Sequence, residues 1–394
     1  MFDLTVISSE LAWPISLLIA WFAGEYGYRW AKIPRISSYA IVGFLLASSQ
    51  AGLLPIGQST SVLLLSNVAF GLILFEAGYR INLRWLSHNP WIGVTCLTEA
   101  TLTFAAVYAI SRGFGVASTN ALLLASLSMA TSPAAIVRVI NEQRSAGQVS
   151  ERLLHLSALN CVLAVFVFKI VVGLLVFETT GSLWHAASSS LLVLAASALL
   201  GGCLGLIMPI LLRGIKCRNQ DNTLAFVIAL VLLVALSESL KLSAVLATLT
   251  FGLMVRHRRL EFHPLQRGFG ALGDLLSVLL FVFIASTLQW QHVISGMGLG
   301  LAIIATRMLT KVCGISIFAR ISGITWRKGM LLGVAMTPMS AFVILMLEQT
   351  RHLGIHLADQ LIPLASAALI LEVFGPIITK QALIWSHEVP KNKE

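Results

Sequence analysis

The sequence predicts an all-α polytopic membrane protein, and its composition and its apolar runs carry that prediction. Of the 394 residues, 57% are hydrophobic and only 11% are charged, and the mean hydropathy is +0.87. Apolar runs of about 20 residues recur along nearly the whole chain, which is the length that a helix needs to cross a bilayer. Such runs are too long for barrel strands, so helices must satisfy the backbone hydrogen bonds in lipid.

The hydropathy pattern predicts about thirteen membrane-spanning helices in a single membrane domain over residues 1–394. The predicted spans are 11–30, 36–54, 61–80, 91–111, 117–140, 149–177, 185–212, 223–239, 242–256, 268–288, 293–318, 327–349 and 358–386. The opening residues, MFDLTVISSE, have no basic segment, so no cleavable signal peptide is expected. The five cysteines stand singly, so neither a disulfide framework nor a zinc site is expected.

The net charge of +10 is explained by membrane topology rather than by a nucleic-acid surface. Of the 27 Lys and Arg residues, 21 lie in alternate loops, three lie in the intervening loops and three lie within spans. Loops rich in Lys and Arg face the cytoplasm, so thirteen spans put the N-terminus outside and the C-terminus in the cytoplasm. We therefore expect a multi-pass protein of the cell (inner) membrane that contacts the lipid bilayer and does not bind nucleic acid.

Proline interrupts two of the spans at mid-depth. Pro133 lies in MATSPAAIV of the fifth span, and Pro338 lies in VAMTPMSAFV of the twelfth. Each proline taken alone fits a tolerated kink, because an interior proline removes one helical hydrogen bond. Seven spans separate the two, so they run in opposite orientations, and paired broken helices are typical of an inverted-repeat transporter. GFGALG (268–273) has no strand before it and opens a span, so no dinucleotide or other cofactor is expected.

Ionisable residues lie within several spans, where each costs roughly 2.5–3.5 kcal/mol on insertion scales and so needs a reason. Arg307 lies near the middle of the eleventh span, and Lys311 follows one turn later on the same face. Glu99 and Glu372 lie near mid-depth of the fourth and thirteenth spans. Either carboxylate is a candidate partner for Arg307 or simply a packed side chain. Arg307 itself could pair with a carboxylate or steady the broken helices.

Five stretches carry a family resemblance, in order along the chain: LILFEAGYRINLRWL, TSPAAIVRVINEQRSAGQVSERLLHLSALNCVLAV, LSESLKLSAVLATLTFGLMV, GVAMTPMSAFVILML and LEVFGPIITKQAL. Together they resemble landmarks of the monovalent cation:proton antiporter superfamily, which includes sodium/proton and potassium/proton exchangers. The resemblance implies a thirteen-helix fold in which a core moves like an elevator against a dimerisation scaffold. It implies scaffold helices at about 11–85 and 223–288, core helices at about 91–177 and 293–386, and a linking helix at 185–212. It also implies a homodimer.

The resemblance implies an ion site at the two breaks. It maps the family's basic residue to Arg307, and the polar breaks to Thr131, Ser132, Pro133, Thr337 and Pro338. The family's ion-binding helix usually reads Asn-Asp or Asp-Asp, whereas this chain reads Asn160-Cys161. Asn160 offers an amide oxygen but never titrates, and a neutral thiol at Cys161 is a poor ligand for Na⁺ or K⁺.

The sequence therefore supports three interpretations. The first is a homodimeric transporter, not an enzyme, that exchanges Na⁺ or K⁺ for protons, with Glu99 or Glu372 supplying the carboxylate. The second is a transport-inactive relative that serves as a membrane sensor or partner subunit, because the usual carboxylate is missing. The third interpretation is a transporter with a changed substrate, such as an anion, because Arg307 and Lys311 are less well neutralised when the usual Asp is missing.

Overall fold

The computed structural model describes residues 4–54, 60–176, 183–215, 219–257, 269–339, 343 and 362–390. Sixteen helices lie within these residues. Their bounds are α1 Leu4–Ala31, α2 Arg35–Leu46, α3 Thr60–Arg80, α4 Leu83–His88, α5 Trp91–Gly113, α6 Ser118–Ser128, α7 Pro133–Gln143, α8 Gln148–Val176, α9 Leu183–Ile215, α10 Asn219–Ser239, α11 Ala244–His257, α12 Gly270–Ser286, α13 Trp290–Ser295, α14 Met297–Ile317, α15 Trp326–Ala335 and α16 Ile362–Trp385.

Each of the thirteen predicted spans falls on a helix or on two consecutive helices. The fifth span is the pair α6 and α7, the eleventh is α13 and α14, and the second half of the twelfth lies outside the described residues. Among the described residues, six helices are long and apolar enough to cross a membrane, namely α3, α5, α8, α9, α14 and α16. The all-α membrane fold is confirmed, whereas the count of thirteen crossings stays a prediction.

The first broken helix is interrupted between Ser128, where α6 ends, and Pro133, where α7 begins. Ser132 caps α7, because its Oγ accepts a hydrogen bond from the backbone N–H of Ala135 at 3.2 Å. Proline suits the first helical position, since its missing N–H has no partner there in any case. The sequence thus encodes both the end of one half-helix and the start of the next.

The second broken helix meets the first. α15 ends at Ala335, just before the second break. Thr131 and Met339 form an isolated antiparallel bridge, and the backbone N–H of Ser132 donates to the carbonyl of Pro338 at 3.0 Å. The extended backbone of each break therefore satisfies part of the other, which is required where no water or helix can do so.

The helices pack as two groups with α9 between them. The scaffold group consists of α1–α3 and α10–α12, and the core group consists of α5–α8 and α13–α16. In the scaffold group α3 and α11 touch backbone to backbone, because a Cβ on Gly78 or Gly252 would lie 2.1 Å from a carbonyl oxygen of the other helix. Whether one group moves against the other is a functional prediction and stays one.

Charged side chains from separate helices meet at one end of the bundle. Arg138 contacts Asp274 at 2.8 Å, and Arg35 contacts Glu142 at 3.4 Å. Arg152 donates to both the hydroxyl and the carbonyl of Ser322. These arginines belong to the alternate loops that carry most of the positive charge, so we call this end the basic end.

Candidate functional site

Arg307 ties the two broken helices together at the centre of the core group. Its Nε donates to the carbonyl of Ser128 at 2.6 Å and its Nη2 to that of Ala130 at 2.7 Å, both in the first break. Its Nη1 donates to the carbonyl of Thr337 in the second break at 3.3 Å. The side chain is buried, and its planar fork of donors suits several acceptors held at fixed positions.

A buried ion pair lies beside this junction. The Nζ of Lys311 on α14 donates to Oε1 of Glu99 on α5, and both residues are fully buried. The same Nζ donates to the Thr131 hydroxyl at 3.0 Å and to the Met129 carbonyl at 3.4 Å. All three ammonium protons therefore have an acceptor, and two of the acceptors belong to the first break.

Asn160 joins α8 to this pair. Its Nδ2 donates to Oε2 of Glu99 at 2.7 Å and more weakly to the Thr131 hydroxyl at 3.4 Å. Its Oδ1 accepts from the Cys96 thiol at 3.0 Å. Both oxygens of the Glu99 carboxylate are thus bound, one by an ammonium and one by an amide, which is how a buried charge becomes tolerable.

A close helix approach sets the position of the ion pair. A Cβ added at Gly314 on α14 would lie 2.8 Å from Cα of Glu99 on α5. Gly314 follows Lys311 by three residues, so the point of closest approach lies almost one turn from the ammonium. The absence of a side chain at Gly314 therefore lets Lys311 reach Glu99.

The cluster offers the ligands that a small cation needs. The Glu99 carboxylate, the Thr131 hydroxyl and the Met129 carbonyl are oxygen ligands gathered at an unwound helix, whereas the Asn160 amide oxygen accepts from the Cys96 thiol. Unwound backbone carbonyls and half-helix ends at the membrane midplane are the usual cation ligands of inverted-repeat transporters. In the described conformation the Lys311 ammonium contacts all three of these oxygens.

Comparison with known families gives a match along most of the chain. The family model described as sodium/hydrogen exchanger, transmembrane, matches residues 15–385. The chain belongs to the sodium/hydrogen exchanger family. The monovalent cation:proton antiporter resemblance seen in the sequence is thereby confirmed.

Two relatives of this exchanger-family chain illustrate the match. The Na(+)/H(+) antiporter NhaP of Pseudomonas aeruginosa is 27% identical over 272 residues, which are 64% of this chain and 63% of that protein. A structure of the sodium proton antiporter MjNhaP1 from Methanocaldococcus jannaschii at pH 8 has a TM-score of 0.66 at 15% identity, over 96% of each chain. An electron-microscopy structure of MjNhaP1 gives a TM-score of 0.69 at 16% identity, over 99% of this chain and 97% of that one. At such identities the structural likeness shows the fold alone.

The structure brings most of the predicted site residues of this exchanger-family chain together. Thr131 and Asn160 contact the ion pair, Ser132 and Pro133 begin α7, and Thr337 accepts from Arg307. The predicted ion pair between Arg307 and Glu99 or Glu372 is wrong, because Arg307 donates to backbone carbonyls and Lys311 takes Glu99. Arg307 satisfies three carbonyls that the breaks leave without helical donors.

The remaining predicted residues lie around this cluster. Cys161 is buried next to Asn160 on α8. Pro338 lies under α16, where a Cβ on Gly375 would approach its Cα to 2.9 Å. Glu372, one turn before Gly375 on α16, is buried, and its Oε1 has no hydrogen-bond partner among the described residues.

Sequence reasoning named Lys311 only as a neighbour of Arg307 and did not single out Cys96 as a contact of the site. A signal was present in the helical spacing. On α5, Glu99 lies three residues after Cys96 and four residues before Thr103. On α14, Thr310 and Lys311 lie three and four residues after Arg307, so each set shares one helix face. Two polar stripes on apolar helices indicate that the helices face one another, as the 2.9 Å contact between Thr103 and Thr310 shows.

Proposed function

We propose that this chain exchanges sodium ions for protons across the cell membrane, and that Na⁺ and the protonated Lys311 compete for the carboxylate of Glu99. The observation that carries the proposal is the buried cluster of Glu99, Lys311 and Asn160 at the crossing of the two broken helices. Family relatives place a carboxylate on the helix that carries Asn160. Here α5 supplies one to the same amide through Glu99, so the site has a carboxylate although Cys161 stands where an Asp is expected.

Lys311 is proposed to carry the exchanged proton. Two positive charges cannot share one buried carboxylate without strong repulsion, so an arriving Na⁺ displaces the ammonium. The ammonium gives up one proton and the neutral amine moves off Glu99, so that one positive charge replaces another at the site. Release of Na⁺ on the other side lets Lys311 take a proton there and re-form the pair. The proton thus moves in the direction opposite to the cation.

The rival interpretations lose their main support in this arrangement. A transport-inactive sensor was suggested by the missing carboxylate, and an anion transporter by uncompensated positive charge. Glu99 lies between Lys311 and Asn160, so the cluster holds an acid and its counter-charge together. Potassium remains a second candidate cation for the same oxygen ligands.

We propose alternating access by movement of the core group against the scaffold group, in a homodimer held by the scaffold. The basic end is proposed to face the cytoplasm, which puts the N-terminus outside. The clustering of arginines from alternate loops at one end supports this orientation.

Reconstituted protein tests the proposal directly. Proteoliposomes that hold the full chain and a pH gradient should dissipate the gradient when Na⁺ is added. Glu99→Gln should reduce the rate at least tenfold, because a neutral amide cannot alternate between a proton partner and a cation.

Glu372→Gln is the matched control, since Glu372 is also a buried carboxyl in a core helix. It should retain most of the rate. An active Glu99→Gln protein beside an inactive Glu372→Gln protein would move the exchange site to α16. No Na⁺- or K⁺-dependent signal from the unmodified chain would refute the exchange function itself.

A further inference from the structure

The second half of the first broken helix, α7, connects the ion site to the scaffold group. α7 spans Pro133–Gln143, which is about 16 Å of helix at 1.5 Å per residue. The break lies directly before α7 and contacts Asn160 and Lys311 through Thr131. The last two turns of α7 lie at the basic end, against three helices of the scaffold group.

Three residues near the end of α7 make these contacts. Arg138 donates to the carboxylate of Asp274 at 2.8 Å and to the carbonyl of Gly273 at 2.6 Å, both on α12. Because Asp274 is 74% exposed, this ion pair is screened by solvent, while the carbonyl contact is less so. Arg138 thus holds α7 to α12 by two bonds of different character.

Asn141 and Glu142 hold α7 to the other two scaffold helices. Asn141 donates to Glu76 at 2.8 Å and accepts from Arg80, so it is inserted into an ion pair of α3. Glu142 accepts from the guanidinium and the backbone N–H of Arg35, each at 3.4 Å, at the first residue of α2. We call the contacts of Arg138, Asn141 and Glu142 the seam.

The seam lies on one side of the membrane only. Among the described residues, both ion pairs that join the core group to the scaffold group, Arg35–Glu142 and Arg138–Asp274, belong to it. A helix that is bound to three scaffold helices at one end cannot move away from them while these bonds persist. In the described conformation α7 is therefore bound to the scaffold group at the basic end.

We propose that the seam is the closure at the basic end and that α7 couples it to the ion site, with Arg138, Asn141 and Glu142 as positioning residues. This inference rests on the proposed exchange by alternating access. When the site opens toward the basic end, α7 leaves α2, α3 and α12 and the three contacts break together. When the site opens toward the other end, the seam re-forms. Because α7 is a single short helix, displacement of its last turn also moves Ser132 and Thr131 at its start.

A reversible cross-link tests the closure. In a background with Cys203, Cys217 and Cys313 replaced by Ser, Arg35→Cys and Glu142→Cys are joined by a short bis-methanethiosulfonate, which forms a reducible disulfide with each thiol and releases methanesulfinate. Cross-linking should reduce Na⁺-dependent proton flux in proteoliposomes at least tenfold, and reduction should restore it. The matched control joins Glu25→Cys to Arg35→Cys, since Glu25 also binds Arg35, at 2.9 Å, but lies in the scaffold group. The control protein should keep its flux after cross-linking.

The outcomes separate the seam from the exchange function. If neither the unmodified chain nor the uncross-linked double variant shows Na⁺-dependent proton flux, the proposed transport function is refuted. The seam is then tested by the hydrogen–deuterium exchange measurement described next. If flux is present and the Arg35–Glu142 cross-link leaves it unchanged, the seam is not the closure.

Hydrogen–deuterium exchange gives a readout that does not depend on transport. Arg138→Ala should shift the population toward the form that is open at the basic end. Amide exchange should then rise in residues 76–82 and 138–143 and fall in residues 44–54 and 288–293 at the opposite end. A general loosening would raise exchange at the basic end with no fall elsewhere, and that result would overturn the coupling.

Discussion

At the scale of single residues, the ion pair at the site makes a prediction about stability. Lys311→Met leaves Glu99 buried without its ammonium, and breaking a buried pair costs about 3–5 kcal/mol. Adding Glu99→Gln to Lys311→Met should recover much of that loss, because no lone charge then remains. Thermal unfolding in detergent of the two single variants and the double variant measures the coupling.

Arg307 supplies the control for this cycle. Its guanidinium donates to carbonyls of the two breaks, so Arg307→Ala should lower the unfolding temperature through unsatisfied acceptors. The effects of Arg307→Ala and Glu99→Gln should therefore be close to additive. If Glu99 proved to be coupled more strongly to Arg307 than to Lys311, the ion pair of Glu99 would involve Arg307, and its assignment to Lys311 would be wrong.

Cys161 permits a test of whether the acid can return to α8. Cys161 is buried beside Asn160, at the position where the family resemblance implies an Asp. Cys161→Asp should rescue Na⁺/proton exchange in the Glu99→Gln protein, because it restores one carboxylate next to the same amide. Cys161→Ser should not rescue it and should leave the otherwise unmodified protein nearly unchanged. An inert Asp variant together with an inactivating Ser variant would mean that the thiol itself is functional.

The choice between Arg307 and Lys311 shows what the sequence could and could not predict about the site. The two residues lie one turn apart on α14, so hydropathy and spacing give them the same depth and the same face. Which one reaches Glu99 depends on the rotation of α14 and on its approach to α5 at Gly314, a long-range contact that no local pattern encodes. By contrast, the breaks at Pro133 and Pro338 were predictable, since proline acts on its own helix.

At the scale of helices, the contact of α14 with α5 should control activity. Gly314→Ala places a methyl group 2.8 Å from the Glu99 backbone, closer than real Cβ contacts, so the helices must separate. We expect a several-fold loss of Na⁺/proton exchange as the Glu99–Lys311 pair loosens. Gly298→Ala on the same helix is the control, because its Cβ meets nothing within 4 Å. It should keep activity and stabilise α14 by about 0.5–1 kcal/mol. Equal activity of both variants would contradict the role given to this close approach.

At the scale of the whole molecule, hydropathy and charge predicted the helices well because both act locally along the chain. As far as the structure describes them, the predicted segments fall on helices, yet α2, α11 and α12 are shorter apolar helices of 12, 14 and 17 residues. A short helix can cross a bilayer only with the help of its neighbours, such as the close pair α3 and α11. The number of crossings is therefore a property of the packed assembly and of the membrane around it, and it needs a measurement.

Labelling of single cysteines measures the topology. Ser87 follows α3 on the side of the basic loops, and Ala117 precedes α6 on the opposite side, and both are exposed. In a background without Cys203, Cys217 and Cys313, Ala117→Cys should react with an impermeant maleimide added to intact cells. Ser87→Cys should react only in everted vesicles, because its loop carries Arg80 and Arg84 and is predicted to be cytoplasmic. Reversed labelling would turn the basic end outward, and the seam would then close the site toward the outside of the cell.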